Sequence, residues 1–218
     1  MDRILKKLSE QKVTFEDLFY FMQKAAVIGT WEVHMEPHKV YWSEVTKLIH
    51  EVDIDYTPNL EDGISFYKKG ESRETISFLF DRAVKYGEEY DTELQITSAK
   101  GNEKWVRAIG YPIMKDGKCI NVIGLFQDIT EKTIQANKIA LQEEQFRATF
   151  DLAATGMALV SLDGILIKVN KTLAKTLGYT QKELVGLRRE QIVQKDDLKI
   201  GLSAMQELLD EKLDVFQH

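Results

Sequence analysis

The sequence predicts an α+β fold in which an antiparallel sheet carries helices on one side. Strand-like segments joined by short turns alternate with short capped helices, and the pattern closes with a run of consecutive strands. The order of strand, turn, strand and capped helix then occurs again further along the chain. This recurrence predicts tandem copies of the same fold.

The first copy begins with a helix and a pair of strands. Thr14 and Asp17 form a capping-box pattern, and the apolar residues that follow at helical spacing predict an amphipathic helix up to Ala26. The segments GTWEV and KVYW are strand-like, with the turn signal EPH between them. Ser43 is placed to cap a short helix, and SRETISFLFDRAVKYG predicts a longer one.

Three further strands follow Tyr90. TELQIT turns at SAKGN into EKWVRAIGYPIM, which turns at KDGK into CINVIGLFQDI. The Asp116-Gly117 pair is a strong hairpin signal, because both residues tolerate the left-handed backbone of a tight turn. Together with the earlier pair, these segments predict a sheet of five antiparallel strands.

The chain partly repeats itself after the first copy. Gly29 and Gly156 each start a strand, Ser43 and Asn170 each follow the second strand, and both pairs are separated by 127 residues. The second copy supplies two strands and helices up to about Leu213, but the chain ends where its third strand is expected. We therefore expect a truncated second copy, as in a piece of a longer protein.

Composition limits the classes of partner. The 218 residues carry a net charge of −6, with 44% hydrophobic and 29% charged residues, as in an ordinary globular protein. The negative charge argues against a nucleic-acid surface. We expect no membrane segment, because no apolar run is long enough to span a bilayer and the N-terminus does not resemble a signal peptide. The single cysteine, Cys119, fits a reducing, cytoplasmic setting.

Both copies resemble the PAS family of sensory domains. The segment VNKTLAKTLGYTQKELVG, residues 169–186, is similar to the part of that family that follows the second strand. The segment GNEKWVRAIGYPIMKDGKCINVIGLFQDITEK resembles the closing hairpin of a PAS domain with its Asp-Ile-Thr ending. The resemblance implies an N-terminal helical segment at 1–26, a first PAS domain at 27–130, a linker helix at 131–150 and a truncated second PAS domain at 151–218.

The resemblance also implies a signalling role for the end of the first domain. Thr130 is placed to cap the outgoing helix, and Glu131 favours the positive end of that helix. The matching Asp and Thr of the family, here Asp128 and Thr130, tie the sheet to the helix that carries the signal onward. The alternative is an inert spacer with an ordinary helix cap.

Trp31, Trp42, Tyr67, Trp105 and Arg107 are candidates to line a small-molecule pocket of the first copy, since such pockets combine aromatic rings with a few polar groups. The same residues could instead fill the core or form an interface. Strand alternation puts Trp105 and Arg107 on one face, and the charge of Arg107 indicates that this face is partly solvated or contacts a partner.

No motif for catalysis is present in the sequence, which predicts a non-catalytic chain. His50-Glu51 is similar to a kinase phosphoacceptor site but lies within the first copy. His34 and His38 lack a third ligand, so no metal site is expected. Residues 72–86 hold no histidine where haem-binding PAS domains place one, and Cys119 is not in a flavin-adduct motif. The sequence therefore does not identify a cofactor, and it disfavours haem and a covalent flavin adduct.

Together these features predict a cytoplasmic sensory module that senses a small-molecule ligand or mediates dimerisation, as a homodimer, and relays a signal to a downstream output domain. The resemblance favours a histidine kinase of a bacterial two-component system as the output. The alternatives are the sensory front end of a diguanylate cyclase and a ligand-free interaction scaffold.

Overall fold

A computed structural model describes residues 14–193 of the chain. The chain divides between Asn137 and Lys138 into two compact units. This point falls inside a long helix, whereas the sequence placed domain boundaries at its two ends. The predicted boundaries at residues 26, 130 and 150 therefore stay predictions.

The first unit is an α+β fold around a five-stranded sheet. All neighbouring strands are antiparallel, in the order β2-β1-β5-β4-β3. The predicted fold class is confirmed. In chain order the elements are α1 (Phe15–Ala26), β1 (Ile28–His34), β2 (Lys39–Trp42), α2 (Glu44–His50), α3 (Leu60–Ser65), α4 (Glu71–Tyr86), β3 (Tyr90–Thr97), β4 (Glu103–Lys115) and β5 (Lys118–Asp128).

Local sequence signals set the ends of these elements. The capping box predicted at Thr14 and Asp17 starts α1, and the Ser43 side chain accepts the backbone N–H of Thr46 at the start of α2. Asp116 and Gly117 have φ values of 49° and 75°, the left-handed backbone expected of a tight hairpin turn. The turn joins β4 and β5 as the predicted hairpin, with Lys115 opposite Lys118.

The two faces of the sheet have different surroundings. Helices α2 and α4 pack on one face, called here the inner face, and α3 packs against α4. Along β4, Val106 and Ala108 are buried on the inner face, while the intervening Trp105 and Arg107 project from the opposite, outer face. The main core of the first unit therefore lies between the inner face and the helices.

A pair of glycines makes room for aromatic rings on the inner face. Gly110 of β4 lies opposite Gly124 of β5 in the sheet register. A Cβ at Gly110 would come 2.3 Å from the Tyr90 ring, and one at Gly124 would come 2.4 Å from the Trp31 ring. The two rings stack with centroids 6.5 Å apart at 20°. Because neither glycine has a side chain, both rings can lie flat against the strands.

A single helix, α5 (Thr130–Leu152), begins two residues after β5 ends. It has 23 residues, and most of its side chains are exposed. None of the helices within residues 14–193 combines the length and apolar character needed to cross a bilayer.

The second unit contains a smaller sheet within its described part. Strands β6 (Ala158–Val160) and β7 (Leu166–Val169) pair antiparallel, followed by α6 (Lys171–Leu177), α7 (Gln181–Leu184) and a short 3-10 helix (Arg189–Gln191). Leu166, Val169, Ala174 and Leu184 form its buried cluster. The predicted helical stretch beyond residue 193 lies outside the described residues, and the truncation of this copy stays a prediction.

The internal repeat is confirmed by matching contacts. Thr30 N–H donates to Ser43 Oγ at 2.9 Å, and Ser43 N–H donates to the Thr30 carbonyl at 2.9 Å. Met157 and Asn170, each 127 residues later, repeat both bonds at 2.9 Å through the Asn170 side-chain oxygen and backbone N–H. Capping residues at equivalent positions, Ser43 and Asn170, thus tie the first-strand region of each copy to the helix after its second strand.

Candidate functional site

A cavity of about 70 Å³ lies between the inner face of the first unit and its helices. Its walls are mainly aromatic and aliphatic, and among residues 14–193 no Asp, Glu, Lys or Arg side chain lines it. Trp31, Trp42 and Tyr67, predicted as pocket residues, all line this cavity. It is the type of concave, largely apolar site in which small ligands bind.

His50 lies in the wall of the cavity and is 2% exposed. Its ring stacks between Trp42, at 4.1 Å, and Phe126, at 4.7 Å, with both interplanar angles near parallel at 22° and 18°. Phe66 meets the ring edge-on at 4.9 Å. The imidazole is therefore held in one orientation by aromatic contacts on both faces.

The protonation state of His50 follows from its surroundings. Nδ1 lies 2.9 Å from the Thr46 carbonyl, which can only accept, so Nδ1 carries the proton. Burial lowers the pKa of His50 to about 4, and the nearby charge of Lys104 acts in the same direction. At neutral pH the ring is therefore uncharged, and Nε2 is left as a hydrogen-bond acceptor.

Tyr67 and Tyr90 add two phenol hydroxyls to the cavity wall. Burial raises the pKa of both hydroxyls, so both remain protonated at neutral pH. Tyr67 also meets the Phe126 ring edge-on at 6.3 Å. The imidazole of His50 and the hydroxyls of the two tyrosines thus line the same cavity, and all three groups are uncharged.

Trp105 and Arg107 do not line this cavity, unlike the other three candidate pocket residues. Both project from the outer face of β4, as the strand alternation indicated. Arg107 pairs with Asp91 of β3, and this pair raises the pKa of the guanidinium and lowers that of the carboxyl. Sequence reasoning missed His50, Tyr90 and Phe126 as cavity residues, although the alternation of β3 and β5 placed the last two on the face of Leu94 and Val122.

The junction between β5 and α5 is closed by side-chain hydrogen bonds. Asp128 Oδ1 accepts the backbone N–H of Thr130 at 2.9 Å. Thr130 Oγ1 accepts the backbone N–H of Trp105 at 3.0 Å, and Ile129 N–H donates to the Trp105 carbonyl at 2.9 Å. Thr130, the first residue of α5, is therefore hydrogen-bonded both to Trp105 of β4 and to Asp128, the last residue of β5.

Lys104 connects this junction to helix α2. Its Nζ donates to the Ile49 carbonyl at 2.9 Å and lies 3.7 Å from carboxylate oxygens of both Glu51 and Asp128. Hydrogen bonds from Ser98 and Asn102 to Glu51 lower the pKa of that carboxyl, with a smaller contribution from Lys104. Ile49 and Glu51 flank His50, so the cavity wall and the start of α5 share one network of contacts.

His34 and Cys119, which lie outside the cavity, make local polar contacts. No group of three or more His, Cys, Asp and Glu side chains within residues 14–193 is arranged to hold a metal ion. His34 Nε2 lies 3.0 Å from Glu32, and Cys119 Sγ lies 3.3 Å from the Asn121 carbonyl. Burial raises the pKa of the Cys119 thiol, which leaves it in its less reactive, protonated form.

Each of the two copies matches a model of a known protein family. A family model described as PAS fold matches residues 39–126, and a second described as PAS domain matches residues 144–212. These matches lie on the two repeats found in the sequence. The chain belongs to the PAS family of sensory domains, as the sequence predicted.

Individual relatives match only parts of the chain. A probable diguanylate cyclase of Escherichia coli, DgcE, is 35% identical over 78 residues, which are 36% of this chain and 7% of that protein. The two-component sensor PprA of Pseudomonas aeruginosa is 26% identical over 108 residues, 49% of this chain and 12% of that protein. A solved sensory box histidine kinase/response regulator from Burkholderia thailandensis is similar at 17% identity and a TM-score of 0.49, over 59% of this chain and 97% of that one.

Proposed function

We propose that this chain is the sensory region of a signalling protein, in which the cavity of the first unit receives a small molecule and α5 carries the response onward. The observation that supports the relay is the Lys104 network, which joins α2 at the cavity to Asp128 and Thr130 at the start of α5. In this proposal the chain itself is non-catalytic and works in the cytoplasm.

The relay requires two arrangements of the junction. A ligand that contacts His50 would shift the end of α2, because His50 lies between Ile49 and Glu51, the two residues of α2 and its cap that contact Lys104. A displaced Lys104 would weaken its ion pair with Asp128, which also holds the N–H of Thr130. The first turn of α5 would then loosen or reorient, which is a change that a continuous helix can transmit.

The output domain proposed for the parent protein is a histidine kinase. The support is the two-component sensor PprA, which matches nearly half of this chain. The second candidate is a diguanylate cyclase, supported by the higher identity to DgcE over a shorter stretch. Since this chain spans about a tenth of either relative, the output activity is a proposal in both cases.

We also propose that the region forms a homodimer, the arrangement in which many sensor modules act. Exposed apolar residues support this: Leu18 and Met22 on α1 are 49% and 59% exposed, and Tyr111 and Leu125 on the outer face are 52% and 41% exposed. A ligand-free interaction scaffold remains the alternative, and it predicts no change in stability with any small molecule.

The test uses the parent protein with Thr130→Val and the matched control Thr133→Val. Thr133 lies in the same helix, and its side chain has no hydrogen bond within residues 14–193. ATP-dependent autophosphorylation and synthesis of cyclic di-GMP from GTP are both measured, which separates kinase from cyclase. We expect Thr130→Val to change the output and Thr133→Val to leave it unchanged; equal output from both variants and the wild type would contradict the relay.

A further inference from the structure

Three polar atoms of buried residues in the cavity wall make no hydrogen bond within residues 14–193: Nε2 of His50 and the hydroxyl oxygens of Tyr67 and Tyr90. The three residues are 2%, 7% and 6% exposed, and all line the cavity. Native proteins rarely leave buried polar groups unpaired, because each loses its hydrogen bonds to water on folding. The unpaired groups therefore indicate a molecule that supplies the missing partners.

The chemistry of the three atoms specifies what that molecule offers. Nε2 of His50 is an acceptor, because Nδ1 carries the proton and donates to Thr46. The protonated hydroxyls of Tyr67 and Tyr90 are available as donors. A matching molecule thus combines one N–H or O–H donor with an acceptor atom. It is neutral, because no charged side chain from the described part of the chain lines the cavity to pair with an ion.

The size and shape of the cavity limit the class of ligand further. A cavity of about 70 Å³ is larger than the roughly 10–15 Å³ that a single water needs, and smaller than the roughly 150 Å³ of a cavity that holds benzene. Its walls include the flat rings of Trp31, Trp42 and Phe126. A small planar molecule makes the most contact with such walls, since aromatic rings pack by their faces and edges.

We propose that the cavity binds a small, neutral, planar heterocycle that has an N–H group and a neighbouring acceptor atom. The N–H donates to Nε2 of His50, and the acceptor receives the hydroxyl of Tyr67 or Tyr90. This proposal rests on the sensory function proposed above, for which it names the class of ligand. Binding at His50 would act directly on the helix end that contacts Lys104.

The experiment compares pyrazole with isoxazole on the full 218-residue chain. Both probes are neutral five-membered rings of similar size, but only pyrazole has an N–H donor. Dissociation constants are measured by NMR titration for the wild type, His50→Phe, Tyr67→Phe and a control on the outer face, Tyr111→Phe. The ¹⁵N resonance of His50 Nε2 is followed in the wild type.

We expect pyrazole to bind the wild type about fivefold more tightly than isoxazole, which corresponds to one additional hydrogen bond. The preference should vanish in His50→Phe, persist in Tyr67→Phe and remain unchanged in Tyr111→Phe. Pyrazole should also shift the His50 Nε2 resonance, a readout that does not depend on the folding of any variant.

Three results would overturn the proposal: no binding of either probe, equal binding of both to the wild type, or a preference that survives in a folded His50→Phe variant. None of them bears on the relay at Thr130, whose test measures the output of the parent protein. A failed ligand proposal is therefore distinguishable from a failed sensory function.

Discussion

Nζ of Lys104 lies 3.7 Å from Oδ2 of Asp128, and the same nitrogen donates to the Ile49 carbonyl at 2.9 Å. Lys104 belongs to β4, Asp128 is the last residue of β5 and Ile49 lies near the end of α2. The Lys104 side chain is 17% exposed, so its ammonium is largely withdrawn from solvent. One cation therefore connects a helix that lines the cavity with the strand that leads into α5.

Replacing this cation should weaken both connections. We expect Lys104→Gln to lower the free energy of unfolding of the first unit by about 1.5–3 kcal/mol, the range for hydrogen bonds to charged groups. Amide exchange at the first turn of α5 should also become faster. The control is Lys118→Gln at the exposed β4–β5 hairpin. Urea unfolding and hydrogen exchange provide the two measurements, and identical behaviour of the two variants would contradict the connection.

Thr130→Val should release the start of α5 from β4. The substitution removes the acceptor for the Trp105 N–H while keeping a β-branched side chain of nearly the same size. We expect a loss of about 1 kcal/mol, as for removal of a helix-capping side chain, together with faster exchange of the Trp105 amide. Thr133→Val, in the same helix, is the control for the change in side-chain polarity. Unaltered protection of the Trp105 amide would show that the bond contributes nothing.

The stability of the first unit should depend on pH through His50. Its pKa is lowered from 6.5 to about 4 by burial, so the folded state resists protonation that the unfolded state accepts. The stabilisation from the neutral ring is complete above pH 6.5 and is lost as the pH falls from 6.5 to about 4. The shift corresponds to roughly 3 kcal/mol.

His50→Phe removes this titration and keeps an aromatic ring between Trp42 and Phe126. Chemical unfolding is measured at a series of pH values, and the difference in free energy between wild type and variant is plotted. We expect that difference to move in favour of the variant as the pH falls through the stated range. Parallel curves for the two proteins would mean that His50 is protonated equally in both states.

Gly124→Ala should disrupt the inner face of the sheet. A Cβ there would come 2.0 Å from the Ile109 carbonyl oxygen and 2.4 Å from the Trp31 ring, so strands or ring must shift. We expect a loss of about 3 kcal/mol, at the upper end for overpacking. Gly63→Ala in α3 is the matched control, because its Cβ would meet only the Trp42 ring at 3.5 Å. That variant should be neutral or gain up to about 1 kcal/mol in helix propensity.

Thermal unfolding of both glycine variants checks the prediction. Equal stability of Gly124→Ala and wild type would mean that the Trp31 ring has other space to occupy.

Asn170→Ser, which introduces the residue found at the equivalent position of the first repeat, should destabilise the second unit less than Asn170→Asp. Its oxygen accepts from Met157 and Leu173, and its amide nitrogen donates to the carbonyls of Phe150 and Thr155. Asn170→Ser keeps a capping acceptor, as Ser43 does in the first copy. Asn170→Asp places a carboxylate oxygen against two carbonyls in a fully buried site, so we expect it to cost at least about 2 kcal/mol more than Asn170→Ser.

Hydrogen exchange of residues 158–177 measures the stability of this region in both variants. Equal protection in Asn170→Asp and Asn170→Ser would contradict the assignment of the amide nitrogen as a donor to Phe150 and Thr155.

Features that depend on neighbouring residues were predictable. The capping box at Thr14 and Asp17, the Asp116-Gly117 hairpin and the alternation that puts Trp105 and Arg107 on one face follow from hydrogen bonds and side-chain periods within a few residues. The repeat was equally readable, because Ser43 and Asn170 perform the same local task. Which sheet face would be covered by helices does not follow from such patterns, so the sequence left open whether Trp105 and Arg107 line a pocket or lie on a solvated face.

The sequence by itself thus determined the type and order of the elements, the duplication and the membership of the PAS family. Only the tertiary structure decided which residues meet. His50 enters the cavity because α2 packs on the inner face, and the Trp31 and Tyr90 rings find space because β4 and β5 pair with Gly110 opposite Gly124. Lys104 reaches Ile49 and Asp128 because elements distant in the chain converge on it. Such contacts depend on burial and register across long sequence separations, which short-range propensities do not encode.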